Sequence, residues 1–258
     1  WVNDEMLHSV TNYELHKSIY SGHNDHNYFE IAHNVRRLEA IGGRLYTFVD
    51  NHDEDRIASK LNDPEHLYPV YTLLFTLPGI PSIYYGGEWG IEGRRTKTSD
   101  DALRPRITIA DEEKLHCGLT DLIARLGTIH DENPEFHGGR YQELLLTNRQ
   151  YAFARFHQGH AVITAVNNDG ADVSVAMPGK RHHSGKSSRR GGVSRYRSEN
   201  HGNSAGKPGG YSKDYGGLNL WQEAKRKLGQ DLSRKWTVIS STTADIMRSS
   251  RKWARIRK

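Results

Sequence analysis

The chain has 258 residues, a hydrophobic fraction of 35% and one cysteine, Cys117. That length holds one large domain or two small ones, and a lone cysteine excludes an internal disulfide and any multi-cysteine zinc site. A formal net charge of +5 and a mean hydropathy of −0.77 first suggest a polyanion-binding protein, but residues 1–180 carry 17 Lys+Arg against 26 Asp+Glu, whereas residues 181–258 carry 19 against 5.

In chain order, residues 24–41 predict a helix. Tyr28, Ile31, Ala32, Val35 and Leu38 recur at helical spacing, Asn24 or Asp25 offers a cap, and Gly42-Gly43 stops it. Residues 45–49 predict a buried strand. Residues 64–77 predict a strongly apolar helix ended by Pro78-Gly79, residues 80–85 a second buried strand, and residues 111–128 a third helix. Strand and helix alternate at intervals of roughly 30 residues, the pattern of βαβ units in a parallel α/β sheet. After Pro134 the period changes. Short runs at 141–146, 151–156, 161–166 and 173–177 are separated by turn signals and predict antiparallel hairpins of a small β domain. Cys117 is expected to pack in the core.

Beyond Gly179 come His182-His183, Arg189-Arg190-Gly191-Gly192 and many serines. Residues 181–217 are expected to be disordered, because this composition cannot bury enough apolar surface to offset ordering entropy. Residues 218–258 show no sustained period; a short basic helix near 221–228 is the most they suggest. No apolar run approaches the roughly 20 residues of a membrane-spanning helix. The single cysteine and the lack of a visible signal segment point to a cytoplasmic location.

The segment Leu45-Tyr-Thr-Phe-Val-Asp-Asn-His-Asp53 carries the chemistry. A buried strand ends and Asn51, His52 and Asp53 follow at once; in parallel α/β barrels the C-terminal strand ends hold the active site. A carboxylate and an imidazole there can together grip vicinal sugar hydroxyls, although Asp53 could also simply cap a helix. His23 and His26 stand at His-x-x-His spacing, but Asn24-Asp25 intervene ahead of a helix, and no metal site is expected.

With Arg56, the following helix and Leu77-Pro-Gly-Ile-Pro-Ser-Ile-Tyr-Tyr-Gly-Gly-Glu-Trp-Gly90, this segment resembles the alpha-amylase family of glycoside hydrolases, of the maltodextrin- or neopullulanase-like kind. The resemblance extends upstream through Ser9-Val-Thr-Asn-Tyr-Glu14, which looks like strand six of the barrel, and downstream to Leu103-Arg-Pro105. It implies the C-terminal half of a (β/α)8 barrel in residues 1–133, the start of a C-terminal β-sandwich in residues 134–180 and an unrelated tail in residues 181–258. It implies that Asp53 is the transition-state-stabilising carboxylate and that His52 hydrogen-bonds the same sugar. Asn51 belongs to the same motif. Glu88 and Trp89 would lie on the loop near the substrate, with loop bracing and packing as their alternative roles. Arg56 would anchor a neighbouring carboxylate or sit in a solvated helical turn.

Retaining hydrolysis also needs a nucleophile and an acid/base, which in family order fall before the strand-six segment. The resemblance therefore implies an α-glucan-acting glycosidase present as an inactive fragment. The substrate would be maltodextrin, starch or pullulan fragments, and the family also holds transglycosidases and isomerases. No cofactor is expected; calcium is common in the family, but the segments that usually bind it are not in this sequence. A non-catalytic sugar-binding or interaction protein on the same fold is the alternative. Nucleic-acid binding rests on the basic tail alone, which otherwise reads as a linker or, as favoured here, the product of a reading-frame change inside the β domain.

Overall fold

The computed structural model describes residues 1–171, Val173 and the backbone of residues 236–240. A three-stranded parallel sheet is built from β1 (Val10–Thr11), β2 (Leu45–Thr47) and β3 (Ile80–Pro81), in that order. Two helices, α1 (Tyr13–Asn24) and α2 (Tyr28–Arg37), connect β1 to β2. The short α3 (Ile57–Lys60) and the long α4 (Leu67–Thr76) connect β2 to β3. Then come α5 (Ile109–Leu115) and α6 (Gly118–Glu132). The antiparallel strands β4 (Arg140–Leu146), β5 (Gln150–His157) and β6 (His160–Asn167) form a second sheet, closed on one side by β7 (Trp236–Ser240).

The βαβ order matches the sequence expectation, but several boundaries move. The helix expected over 24–41 begins at Tyr28, because the chain turns at Asn24–Asn27, where His26 has a φ of 47°. Helix α1 was not expected at all. Asn12 caps it, its side chain accepting from the Leu15 N–H at 3.0 Å. Its buried stripe of Leu15, His16, Ile19, Gly22 and His23 contains only two aliphatic side chains, so hydropathy alone does not show it. The strand expected over 80–85 pairs regularly only at Ile80–Pro81, since Pro81 has no N–H to give. The helix expected over 111–128 splits at His116-Cys117, and Cys117 is exposed at the start of α6 instead of packed in the core. The Cys117 N–H donates to Thr120 Oγ1 at 3.1 Å. In the tail, residues 236–240 run parallel to β6, a strand not expected there; Trp-Thr-Val-Ile is a β-branched and aromatic run too short to register as a period. The expected strand at 173–177, the 181–217 segment and the 221–228 helix lie outside the described residues.

Helix α4 is the centre of the core. Val70, Tyr71, Leu73 and Leu74 are essentially inaccessible, and α4 is apolar all round because it is covered on every side. It packs with α6 (Leu119, Leu122, Ile123, Leu126) and with Tyr151, Phe153, Val162 and Val166 of the second sheet in one cluster. The first sheet is covered on one face only. Leu45 and Thr47 are buried, but Tyr46 and Ile80, paired in register, are 41% and 46% exposed on the other face. Among the described residues, strands β1 and β3 each pair on one side only.

Arg155 joins the two parts. Buried on β5, it donates from Nη1 to Thr76 O at the end of α4, from Nη2 to Phe136 O and from Nε to Gly139 O, at 3.2–3.3 Å. Burial lowers its pKa to about 10, so it stays charged at neutral pH with carbonyls as its acceptors. Replacing Arg155 with alanine opens three carbonyls and removes a packed aliphatic stem. The expected loss is about 3 kcal/mol, read as a lower urea midpoint.

Candidate active site

After Thr47 the chain stays buried through Phe48, Val49 and Asp50, then emerges. Asp50 turns inward. Its Oδ2 accepts from Arg56 Nε at 3.1 Å and from the Ile57 N–H at 2.9 Å, the first turn of α3. Asp50, not Asp53, is therefore the capping carboxylate. Arg56 has no exposed surface. Its Nη1 donates to Leu103 O at 3.2 Å and its Nη2 to Tyr85 O at 2.8 Å, and the guanidinium lies over the Tyr84 ring at 4.7 Å. The Arg56 N–H reaches Gly93 O at 2.9 Å. The solvated helical turn is thus replaced by an internal anchor, and Arg56 presents no surface to a ligand. Burial raises the Asp50 pKa, with the Arg56 charge and its hydrogen bond working against the rise.

Between these anchors Asn51, His52 and Asp53 form the projecting tip. Asn51 Oδ1 accepts from the Asp53 N–H at 2.8 Å, an Asx turn, while its Nδ2 donates to Tyr13 OH at 3.4 Å. His52 Nε2 lies 3.1 Å from Asp53 Oδ2, and both side chains are more than half exposed. Arg104 holds the other carboxylate oxygen, with Nη2 at 3.2 Å from Asp53 Oδ1 and 2.7 Å from Asp100 Oδ2, and its Nε donates to His52 O at 3.2 Å. Arg95 also binds the Asp53 carbonyl. From sequence, Arg104 figured only within Leu103-Arg-Pro105 with no site role and Asp100 not at all; their four-residue spacing is too common a pattern to single out.

Behind the tip, Glu54 Oε2 binds Lys60 Nζ at 2.6 Å, and Lys60 Nζ lies 3.1 Å from His16 Nε2. Burial, then the Lys60 charge, lowers the His16 pKa to about 4. The ring is thus neutral at pH 7 and stacks on Phe48, with centroids 4.9 Å apart.

Glu88 and Trp89 lie in a helical turn (Gly87–Trp89) between Gly86 and Gly90, at φ 85° and 65°. A Cβ on Gly86 would stand 2.9 Å from Ile91 Cδ1, and one on Gly87 would stand 2.6 Å from the Tyr71 hydroxyl. The turn therefore packs straight onto α4. Glu88 and Trp89 are half-buried, and Glu88 Oε2 is buried without a hydrogen-bonding partner. Thr120 Oγ1 donates to Glu88 O at 3.0 Å. Burial, followed by the charge of Asp50, pushes the Tyr71 pKa well up, with Glu88 adding to it. Asn51, His52 and Asp53 thus share one exposed tip, while Arg56 lies beneath it and Glu88 turns one oxygen inward.

Among the described residues, no group of three or more His, Cys, Asp or Glu is placed to hold a metal ion. His23 uses both ring nitrogens, with Nδ1 on Ile19 O at 2.6 Å and Nε2 on Tyr28 OH at 3.3 Å. No helix among these residues is long and apolar enough to cross a membrane.

Residues 7–119 match the model of the alpha amylase catalytic domain. This part of the chain is similar to the alpha-amylase family. A cyclomaltodextrinase of Thermoanaerobacter pseudethanolicus is 26% identical over 176 residues, covering 65% of this chain and 30% of the relative. A cyclomaltodextrin glucanotransferase of Niallia circulans is 26% identical over 123 residues, 48% of this chain and 16% of the relative. The crystal structure of a maltogenic amylase from S. marinus superposes with a TM-score of 0.58 at 27% identity, over 68% of this chain and 26% of that one. The chain thus spans about a third or less of these relatives. These likenesses support an α/β fold for the parallel sheet and its helices.

The two kinds of ion pair are expected to behave differently. Asp50→Asn leaves a buried guanidinium without its counter-charge and should cost about 3–5 kcal/mol. Arg104→Ala, which breaks exposed pairs, should change stability by no more than about 1 kcal/mol. Chemical denaturation of both variants checks this; equal losses would mean that the buried pair does not hold the fold.

Proposed function

We propose that this chain is the C-terminal part of an α-glucan-acting enzyme of the alpha-amylase type, working by retaining hydrolysis on maltodextrin, starch or pullulan fragments. Asp53 is the carboxylate that stabilises the oxocarbenium-like transition state, and His52 donates a hydrogen bond to the same sugar. The observation that carries this reading is the convergence of His52 and Asp53, 3.1 Å apart, on an exposed tip whose base is fixed by the buried Asp50–Arg56 pair. A carboxylate held this way meets developing positive charge without reorganising, which is where electrostatic catalysis gains most. Arg104 holds one oxygen of the Asp53 carboxylate. Arg56 serves as a positioning residue, and Glu88 braces the neighbouring loop.

Residues 1–133 form part of the barrel in this reading and residues 134–180 begin the β domain. The sugar-releasing double displacement needs a nucleophile and an acid/base about 5–5.5 Å apart. Glu54 and Asp55, beside Asp53 in sequence, are held by Lys60 and Arg94. The two missing carboxylates would come from a barrel portion outside these 258 residues, and the uncovered face at Tyr46 and Ile80 is where it would pack. The 258-residue chain by itself is therefore inactive and marginally stable.

Purified chain incubated with maltoheptaose should release no sugar; steady release would refute the inactivity. In a barrel carrying the remaining strands, Asp53→Asn should lower kcat by about 10²–10³-fold with a small change in KM. An unchanged kcat would remove Asp53 from catalysis, and saturable sugar binding with no turnover in that complete barrel would favour a non-catalytic sugar-binding protein.

A further inference from the structure

The corner between α1 and α2 carries three imidazoles that the sugar site does not use. His23 ends α1, His26 sits in the turn, and His66 lies in the short helical turn before α4. Ring centroids are 5.5 Å apart for His23 and His66 and 5.6 Å for His26 and His66. This corner is where the helices meet the second sheet. The Tyr28 N–H donates to Asn148 O at 3.0 Å, and the Asn168 N–H donates to Arg149 O at 2.9 Å, so the two sheet turns are tied to each other. His26 Nδ1 faces Asn168 O at 2.9 Å, and Asn168 Nδ2 donates to Gly22 O at 3.4 Å. The left-handed φ of His26 is unfavourable for a residue with a Cβ and is held by this docking.

The rings differ in how they tolerate a proton. His23 Nδ1 faces a carbonyl and carries the hydrogen, leaving Nε2 to accept from Tyr28 OH. His66 is buried, its Nδ1 has no hydrogen-bonding partner, and Asp63 Oδ2 stands 3.9 Å from its Nε2. Facing His66 are Asp63 from its own turn, His23 and His26 from the α1–α2 corner, and Arg149 from the β4–β5 turn. Arg149 is itself 3.6 Å from Asp169. A proton on His66 therefore adds a buried charge beside two imidazoles and a guanidinium, with the loosely placed Asp63 carboxylate and the Asn168 backbone offsetting only part of it.

We propose that this cluster is an acid-sensitive latch, in which protonation of His66 releases the α1–α2 corner from the Asn148 and Asn168 turns and loosens β4–β6 before the helical core opens. Burial lowers the His66 pKa from 6.5, with His26 and Arg149 adding to the fall and Asp63 and the Asn168 backbone only partly opposing it. The docked form then binds fewer protons than the released form. Docking is at full strength above pH 6.5 and weakens as pH falls from there toward the His66 value in the docked form. This inference is independent of the role given to Asp53.

Hydrogen exchange of the chain between pH 7.5 and 5.0, corrected for intrinsic rates, tests it. The amides of Tyr28, Asn168 and β5–β6 should lose protection by up to about tenfold per pH unit, the limit for one coupled proton, while those of α4 stay protected. His66→Gln should flatten this dependence. If that variant does not fold, the wild-type ring titration read by NMR takes its place, and the His66 midpoint should lie below 6.5 and track the loss of protection. Protection independent of pH, opening of α4 in step with the sheet, an unchanged slope in His66→Gln, or a His66 midpoint at 6.5 would each overturn the proposal.

Discussion

At the end of β2 a guanidinium with no access to water meets a carboxylate that is equally enclosed. Arg56 ties Asp50 to the carbonyls of Tyr85 and Leu103, so one side chain joins the ends of two adjacent strands and the segment that follows them. A charge removed from water costs several kcal/mol unless each of its donors is met. Here three guanidinium nitrogens have acceptors and the face of Tyr84 covers the group. Asp50 also receives the Ile57 N–H, so the start of α3 is fixed by the same carboxylate. The projecting tip of Asn51, His52 and Asp53 is short because both of its ends are held.

The exposed layer is built on that buried one. Asp53 lies between His52 and Arg104, in a region where water screens charge and single pairs add little stability. Fixed geometry must therefore come from below, through Asp50 and Arg56, and from the Asx turn of Asn51. The buried pair supplies rigidity, and the Asp53 carboxylate stays half exposed between His52 and Arg104.

Histidine has a second use in this fold. His16 and His23 occupy the buried face of α1, and burial is the leading cause that lowers their pKa values to about 4 and about 3. At neutral pH they pack as uncharged aromatic rings, His16 on Phe48 and His23 on Tyr28. A hydropathy pattern counts such residues as polar, and α1 stays hidden from it for that reason. Arg56 and Arg155 are likewise polar by composition yet buried among carbonyls, and of the two roles open to Arg56 from sequence the structure shows the carboxylate anchor. The α4 helix was plain because Val70, Leu73 and Leu74 need no partner to be recognised as core.

Local chemistry in the sequence determined the order of strands and helices, the switch from βαβ units to antiparallel hairpins after Pro134, and the position of Asn51-His52-Asp53 at a strand end. These follow from side-chain period and from turn residues, which act over a few positions of chain. Only the tertiary structure decided that Asp50 turns inward while Asp53 faces out, that Arg104 reaches back 51 residues to hold Asp53, that Cys117 stands in solvent, and that residues 236–240 pair with β6. Each of these depends on burial or on a partner distant in sequence. Whether a charged or sulfur-bearing side chain meets water or protein is set by what the rest of the chain folds against it.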